Sequence, residues 1–225
     1  MKLTYYGQSC IGVEAGDAHL LFDPFITGNT LAAHIDVESI PATHVLITHG
    51  HGDHVADAEA ILKRTGALLI SNFEICNWFG AKGINNSLAM NTGGRADLGG
   101  FSVKSTVAQH SSTMPDGASG GSPGGFVVFT PEGNFHHAGD TALMLDMQLL
   151  KRHQLRFACL PIGDNFTMGI EDAVEAAQYM GATTVVGMHY DTFPSITIDK
   201  AKATEAFAHA GIKLLLPGIG QTIAI

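Results

Sequence analysis

Thr48-His49-Gly50-His51-Gly52-Asp53-His54-Val55 places three imidazoles and a carboxylate within six consecutive residues. If protonated, these imidazoles would repel one another; if neutral and buried, each would need its own hydrogen-bond partner. A divalent cation satisfies them jointly. Upstream, Thr43-His44-Val45-Leu46-Ile47 reads as a buried strand, and downstream residues 55–63 carry apolar side chains at helical spacing. The cluster therefore sits on a strand-to-helix turn, where two glycines let the backbone bend sharply while neighbouring side chains fan apart. With His49 and His51 aimed one way and Asp53 and His54 another, the spacing predicts two adjacent metal sites. A solvated His-rich surface loop is the weaker alternative.

Composition bounds the rest. The 225 residues are 45% hydrophobic, enough to bury a substantial core, and a single compact domain over 1–225 is expected. No stretch has the apolar length needed to span a bilayer, and residues 1–6 read as a first strand instead of a secretory signal, so no membrane partner and a cytoplasmic location are expected. Cys10, Cys76 and Cys159 are too few and too far apart for a disulfide framework or a CxxC site, and are expected to be reduced and buried. Twenty-one acidic against 12 basic residues give a formal charge of -9, with no Lys/Arg run. That balance disfavours a nucleic-acid polymer as partner but leaves a small-molecule substrate, even a nucleotide-sized one, since metal ions would supply local positive potential. Buried interface and buried core look alike in a sequence, so a homo-oligomer is as compatible with it as a monomer.

Residues 2–6, 10–14 and 19–22 are β-prone runs separated by turns, which predicts an antiparallel meander. After the metal cluster the pattern predicts a helix to about residue 64, a strand over 67–70 and a helix over 72–81. Strands over 101–108, 125–129 and 134–138 and a helix over 142–153 follow. A strand over 157–160, a helix over 170–180, a strand over 184–188, a helix over 199–210 and two closing strands complete the chain. Antiparallel strands followed by strand-helix alternation occur twice, which predicts two similar halves whose sheets pack face to face with helices outside. Residues 111–125, with five glycines and four serines, read as a mobile loop that helps admit substrate.

A paired site needs more donors, and three stand at strand ends: His110, Asp140 and His189. Together with the first cluster they make an HxHxDH motif followed by separate His, Asp and His residues, and in this the chain resembles the metallo-β-lactamase fold superfamily. Tyr5-Tyr6-Gly7-Gln8-Ser9-Cys10, the Asp23-Pro24-Phe25 turn, the Gly-rich residues 120–125 and Leu160-Pro161-Ile162-Gly163 further resemble its small UPF0173 metal-dependent hydrolases, over nearly the whole chain. The resemblance implies an α/β, four-layer αββα sandwich, metallo-β-lactamase-like, with two mixed β-sheets flanked by helices. It also implies that His49, His51 and His110 hold one metal, that Asp53, His54 and His189 hold the other, and that Asp140 bridges them. Asp23 would orient ligands from beneath the metal loop. One departure is Gln8, where relatives commonly carry His, because an amide cannot transfer protons.

Imidazole and carboxylate donors without cysteine suit two divalent metal ions per chain, zinc first, with manganese, nickel or iron as alternatives. The chemistry expected is hydrolysis by metal-bound hydroxide, with Asp53 and Asp140 in the catalytic machinery, on a small phosphodiester or a lactone or ester. A non-catalytic metal-binding protein and a di-iron redox protein are the rival readings. The latter usually carries a flavin domain and a carboxylate in place of a motif histidine, and this chain has neither. Asn165 and Thr167, in the loop after Asp164, are candidate substrate contacts, while His44, His136 and His137, in strands near the ligands, are expected to serve structure or to support the ligands.

Overall fold

Leu3 and Tyr5 are buried while Lys2, Thr4 and Tyr6 are less so, and that period of two makes Lys2–Gly7 a strand with one face inward (β1). In the computed structural model, which describes all 225 residues, β1 runs into an antiparallel meander with β2 (Cys10–Ala15) and β3 (Ala18–Phe22). Then β4 (His44–Leu46), β5 (Leu68–Ser71) and β6 (Ser87–Ala89) add in parallel. Their connections are helices α1 (Gly52–Val55), α2 (Ala58–Thr65) and α3 (Phe73–Gly80). The pattern repeats: β7 (Arg95–Asp97), β8 (Ser102–Val107), β9 (Gly124–Phe129) and β10 (Asn134–His137) pair antiparallel. After them β11 (Leu155–Pro161), β12 (Thr184–Met188) and β13 (Lys213–Leu215) join in parallel. A 3-10 helix (Leu145–His153), α4 (Ile170–Met180) and α5 (Lys200–His209) link these strands, and β14 (Thr222–Ala224) returns to pair with β1.

Each sheet has seven strands. The larger core fills the space between them: Leu3, Tyr5 and Phe22 from the first sheet meet Phe126, Phe135 and Phe157 from the second. Phe22 is the joint, stacked on His137 at 4.7 Å between ring centres and edge-on to Phe135 at 6.0 Å. A second core lies under α2 and α3, where Ile61, Leu62, Ile75 and Phe79 cover Val45, Ile47 and Leu69. The result is the expected αββα sandwich of two mixed sheets between helices. No helix is long and apolar enough to cross a membrane. The three cysteines are free and buried, and burial pushes the Cys76 thiol up to about 11.

Three differences from the sequence reading have physical causes. The helix expected over 55–63 is broken, because Asp57 turns its carboxylate to Ile26 N, Thr27 N and Thr27 Oγ1 in the loop after β3. The segment from Leu145 to His153 coils as a 3-10 helix, with Met147 N bonded to Met144 O at 3.2 Å. The glycine- and serine-rich residues 111–125, expected to be mobile, enter β9 at Gly124 and are pinned at several points before it. Met114 is buried, Gly50 N donates to Ser112 Oγ at 3.1 Å, Asn72 Nδ2 donates to Gly120 O at 2.6 Å, and Trp78 Nε1 donates to Asp116 at 2.7 Å.

Candidate metal centre

All seven donors named from the sequence come to one rim of the sandwich. The first sheet delivers His49 and His51 on the turn after β4, and Asp53 and His54 in the first turn of α1. The second sheet delivers His110 after β8, Asp140 after β10 and His189 after β12. Their nitrogen and oxygen atoms fall into two sets, His49, His51 and His110, and Asp53, His54, Asp140 and His189, with all atoms of a set within 4.8 Å of one another. Around a tetrahedral ion with bonds of roughly 2.0–2.1 Å, ligand atoms lie about 3.4 Å apart. Several pairs are near that spacing, such as His49 Nε2 and His51 Nδ1 at 3.0 Å and His54 Nε2 and Asp53 Oδ2 at 3.5 Å. Asp140 Oδ2 stands between them, 2.9 Å from His189 Nε2 and 3.2 Å from His54 Nε2 on one side, 3.6 Å from His110 Nε2 and 3.9 Å from His49 Nε2 on the other.

Hydrogen bonds fix which nitrogen His54 and His49 present. Asp23, fully buried, accepts from Thr48 N at 2.8 Å and Thr48 Oγ1 at 2.7 Å, and lies 3.0 Å from His54 Nδ1. His54 must donate there, so its Nε2 lone pair faces the centre. That Nε2 is buried and has no hydrogen-bond partner, although two carboxylates lie within 3.5 Å. An orphaned nitrogen so placed fits the donor set of a cation site. The Thr48 hydroxyl proton is spent on Asp23, so Oγ1 accepts from His49 Nδ1 at 3.0 Å, and His49 Nε2 points inward at His51 Nδ1, also 3.0 Å away. His51 Nε2 bonds Ser111 Oγ at 3.1 Å.

The electrostatics separate the two sets. Burial lowers His49 well below the ordinary imidazole range and also lowers His51 and His110, so these three are neutral and ready to donate lone pairs. Burial also opposes charge on His54, but the carboxylates of Asp140 and Asp23 outweigh it and raise His54 well above that range. Asp140 likewise overcomes burial at His189 and raises it to about 9. In turn, His54 and His189 overcome desolvation at Asp140 and hold its carboxyl well below the usual carboxylate range. Without a cation, then, protons sit where a cation would.

Gln8 is the residue whose role the sequence leaves unread. Fully buried at the end of β1, it donates from Nε2 to Asp53 Oδ2 at 2.9 Å, and its carbonyl accepts from His189 N at 2.9 Å. It therefore ties a first-sheet donor to a second-sheet one. Gln8, Asp23 and His189 all have left-handed backbone, with φ of 51°, 43° and 55°. Such strain persists only where the surroundings enforce it. His137 is satisfied structurally, bonded to Ser9 O at 3.1 Å and Gly139 N at 3.3 Å, and His136 Nε2 lies 3.2 Å from Thr106 Oγ1. His44 packs edge-on against Phe101.

A cavity of about 670 Å³ opens over the donors, walled by Phe25, Ser111, Phe166, Phe193 and Ser195. Asn165 and Thr167 do not line it; the residue between them, Phe166, does. Asn165 is exposed, with its N–H turned back to Asp164 Oδ1 at 2.7 Å.

The family described as "Beta-lactamase superfamily domain" matches residues 19–190. A UPF0173 metal-dependent hydrolase of Christiangramia forsetii is 47% identical over 227 residues, covering all of both chains, and one of Flavobacterium johnsoniae is 45% identical over 226 residues with the same coverage. Among solved structures, Igni18, a novel metallo hydrolase from Ignicoccus hospitalis, superposes with a TM-score of 0.90 at 36% identity, covering 99% of this chain and 97% of the other.

Proposed function

The chain belongs to the UPF0173 metal-dependent hydrolases of the metallo-β-lactamase superfamily, and on that premise we propose that it acts as one domain holding two divalent cations, zinc by preference, to hydrolyse a small-molecule ester, lactone or phosphodiester. In this reading His49, His51 and His110 hold one ion, Asp53, His54 and His189 hold the other, and Asp140 lies between. The supporting observation is the buried, partnerless Nε2 of His54 in one of two adjacent donor sets, each with its atoms within 4.8 Å of one another. Two cations held there would lower the pKa of a bound water and polarise the oxygen of the attacked group.

The chain's own residues do the rest. Asp23 and Thr48 hold the proton on the outer nitrogens of His54 and His49, leaving the inner lone pairs free. Gln8 fixes Asp53 by one oxygen, so that the carboxylate is oriented to accept a proton from the attacking water. Asp140 offsets the charge of both cations at once.

Elemental analysis of protein purified without added metal tests this directly, with about two equivalents per chain expected for a paired centre. Asp140→Ala removes the negative charge between the ions and should lose both metal and most hydrolysis. Unchanged occupancy of both sites in that variant would sink the proposed bridge. A fully metallated protein inert toward a panel of esters, lactones and phosphodiesters would favour the non-catalytic reading.

A further inference from the structure

The cavity over the donors is unusual in what its walls lack. Apart from the metal-directed side chains it is bounded by three phenylalanines, two serines and a glycine, with no Lys or Arg. The nearby cation Lys200 is taken up by Asp191 at 2.9 Å and is not part of the wall. Enzymes that bind phosphoryl groups normally bring Arg or Lys to the non-reacting oxygens; here the cations proposed for the donor sets would be the only positive charge that an anion meets in the cavity wall.

The three rings arrive from three separate loops: Phe25 after β3, Phe166 after β11 and Phe193 after β12. Phe25 is buried, Phe193 is half-buried and Phe166 is 53% exposed. Leaving so large an apolar side chain in water at the mouth of a polar site is unfavourable, and burial of that face by a ligand recovers the loss. A cavity of about 670 Å³ also exceeds the needs of a small acyl group and has room for a ring system.

We propose, resting on the hydrolytic reading above, that the substrate is an uncharged ester or lactone carrying an aromatic or similarly flat apolar group, which the phenylalanines hold while its carbonyl faces the metal centre. The reaction is addition of one water: its oxygen bonds to the acyl carbon, the acyl C–O bond breaks, one proton goes to the alkoxide oxygen, which departs as the alcohol or stays tethered as a hydroxyl in a lactone, and the acid keeps the oxygen and the other proton, which ionises near neutral pH. Phe166 determines specificity because it alone of the three presents a largely free face.

Three substrates separate the outcomes in metal-loaded protein: methyl phenylacetate, methyl acetate and bis(p-nitrophenyl) phosphate. The expected result is at least about a tenfold higher kcat/KM for methyl phenylacetate than for methyl acetate, a preference carried in KM. Phe166→Ala should reduce that ratio severalfold, and Phe166→Tyr should keep it. Binding of benzyl ethyl ketone, the uncleavable isostere, followed by ligand-observed NMR, should weaken in parallel in Phe166→Ala. A ratio near one, a ratio untouched by Phe166→Ala, or faster turnover of the phosphodiester would overturn the proposal while leaving hydrolysis intact. No turnover of any of the three would instead remove the hydrolytic reading on which it rests.

Discussion

Gln8 shows how one residue can serve a site that it never enters. Its side-chain Nε2–H holds Asp53, its backbone carbonyl accepts from His189 N, and neither Gln8 group titrates. Gln8→Ala should cost roughly 10–100-fold in turnover or metal affinity, as removal of ligand-orienting partners typically does. Wild-type values for both would rule the role out. The imidazoles make a second prediction. His189 is raised to about 9, and His54 is raised as well, so both carry protons near pH 7.5 when no cation is present. A cation must expel them, so metal uptake should release protons and weaken as the pH falls below about 9. Calorimetry in two buffers of different ionisation enthalpy reads the release; identical heats would contradict it. The seven donors were legible in the sequence because they are chemically conspicuous and stand at strand ends. Gln8 was not, because its partner Asp53 lies 45 positions away and an amide announces no chemistry.

At the scale of elements, the strap formed by residues 111–123 crosses the metal loop at Gly50. A β-carbon on Gly50 would lie 2.5 Å from Met114 Sδ and 3.3 Å from Gly120 Cα. Gly50→Ala should therefore lift the strap, loosen the His49, His51 and His110 set, and cost about 1–3 kcal/mol, as overpacking does. Metal content and thermal unfolding measure both effects, and adding Met114→Ala should restore part of the loss. A single variant with full metal and an unchanged melting temperature would show that the strap moves aside freely. Strong periodicity made most elements readable: the helix Ile170–Met180 and the strand Thr184–Met188 have the expected bounds. The strands Ser87–Ala89 and Arg95–Asp97 escaped notice because each is three residues long, lies at or near a sheet edge and carries little apolar pattern. The strap's anchoring is not legible in composition, which reports glycine content and not the side chains, Asn72 at the start of α3 and Trp78 within it, that hold it.

Across the whole molecule, Phe22 makes the two sheets one body, touching Phe126, Phe135 and His137 from the opposite side. Phe22→Ala should destabilise by about 3–5 kcal/mol, the usual range for a buried ring. Denaturant unfolding would detect this, and a loss under about 1 kcal/mol would mean that the sheets adhere by other contacts. The proposed donors are shared between the sheets in the same way, four from the first and three from the second. During synthesis, therefore, His49 to His54 leave the ribosome before His110, Asp140 and His189 exist, so neither donor set can be completed until the later half has folded against the earlier one.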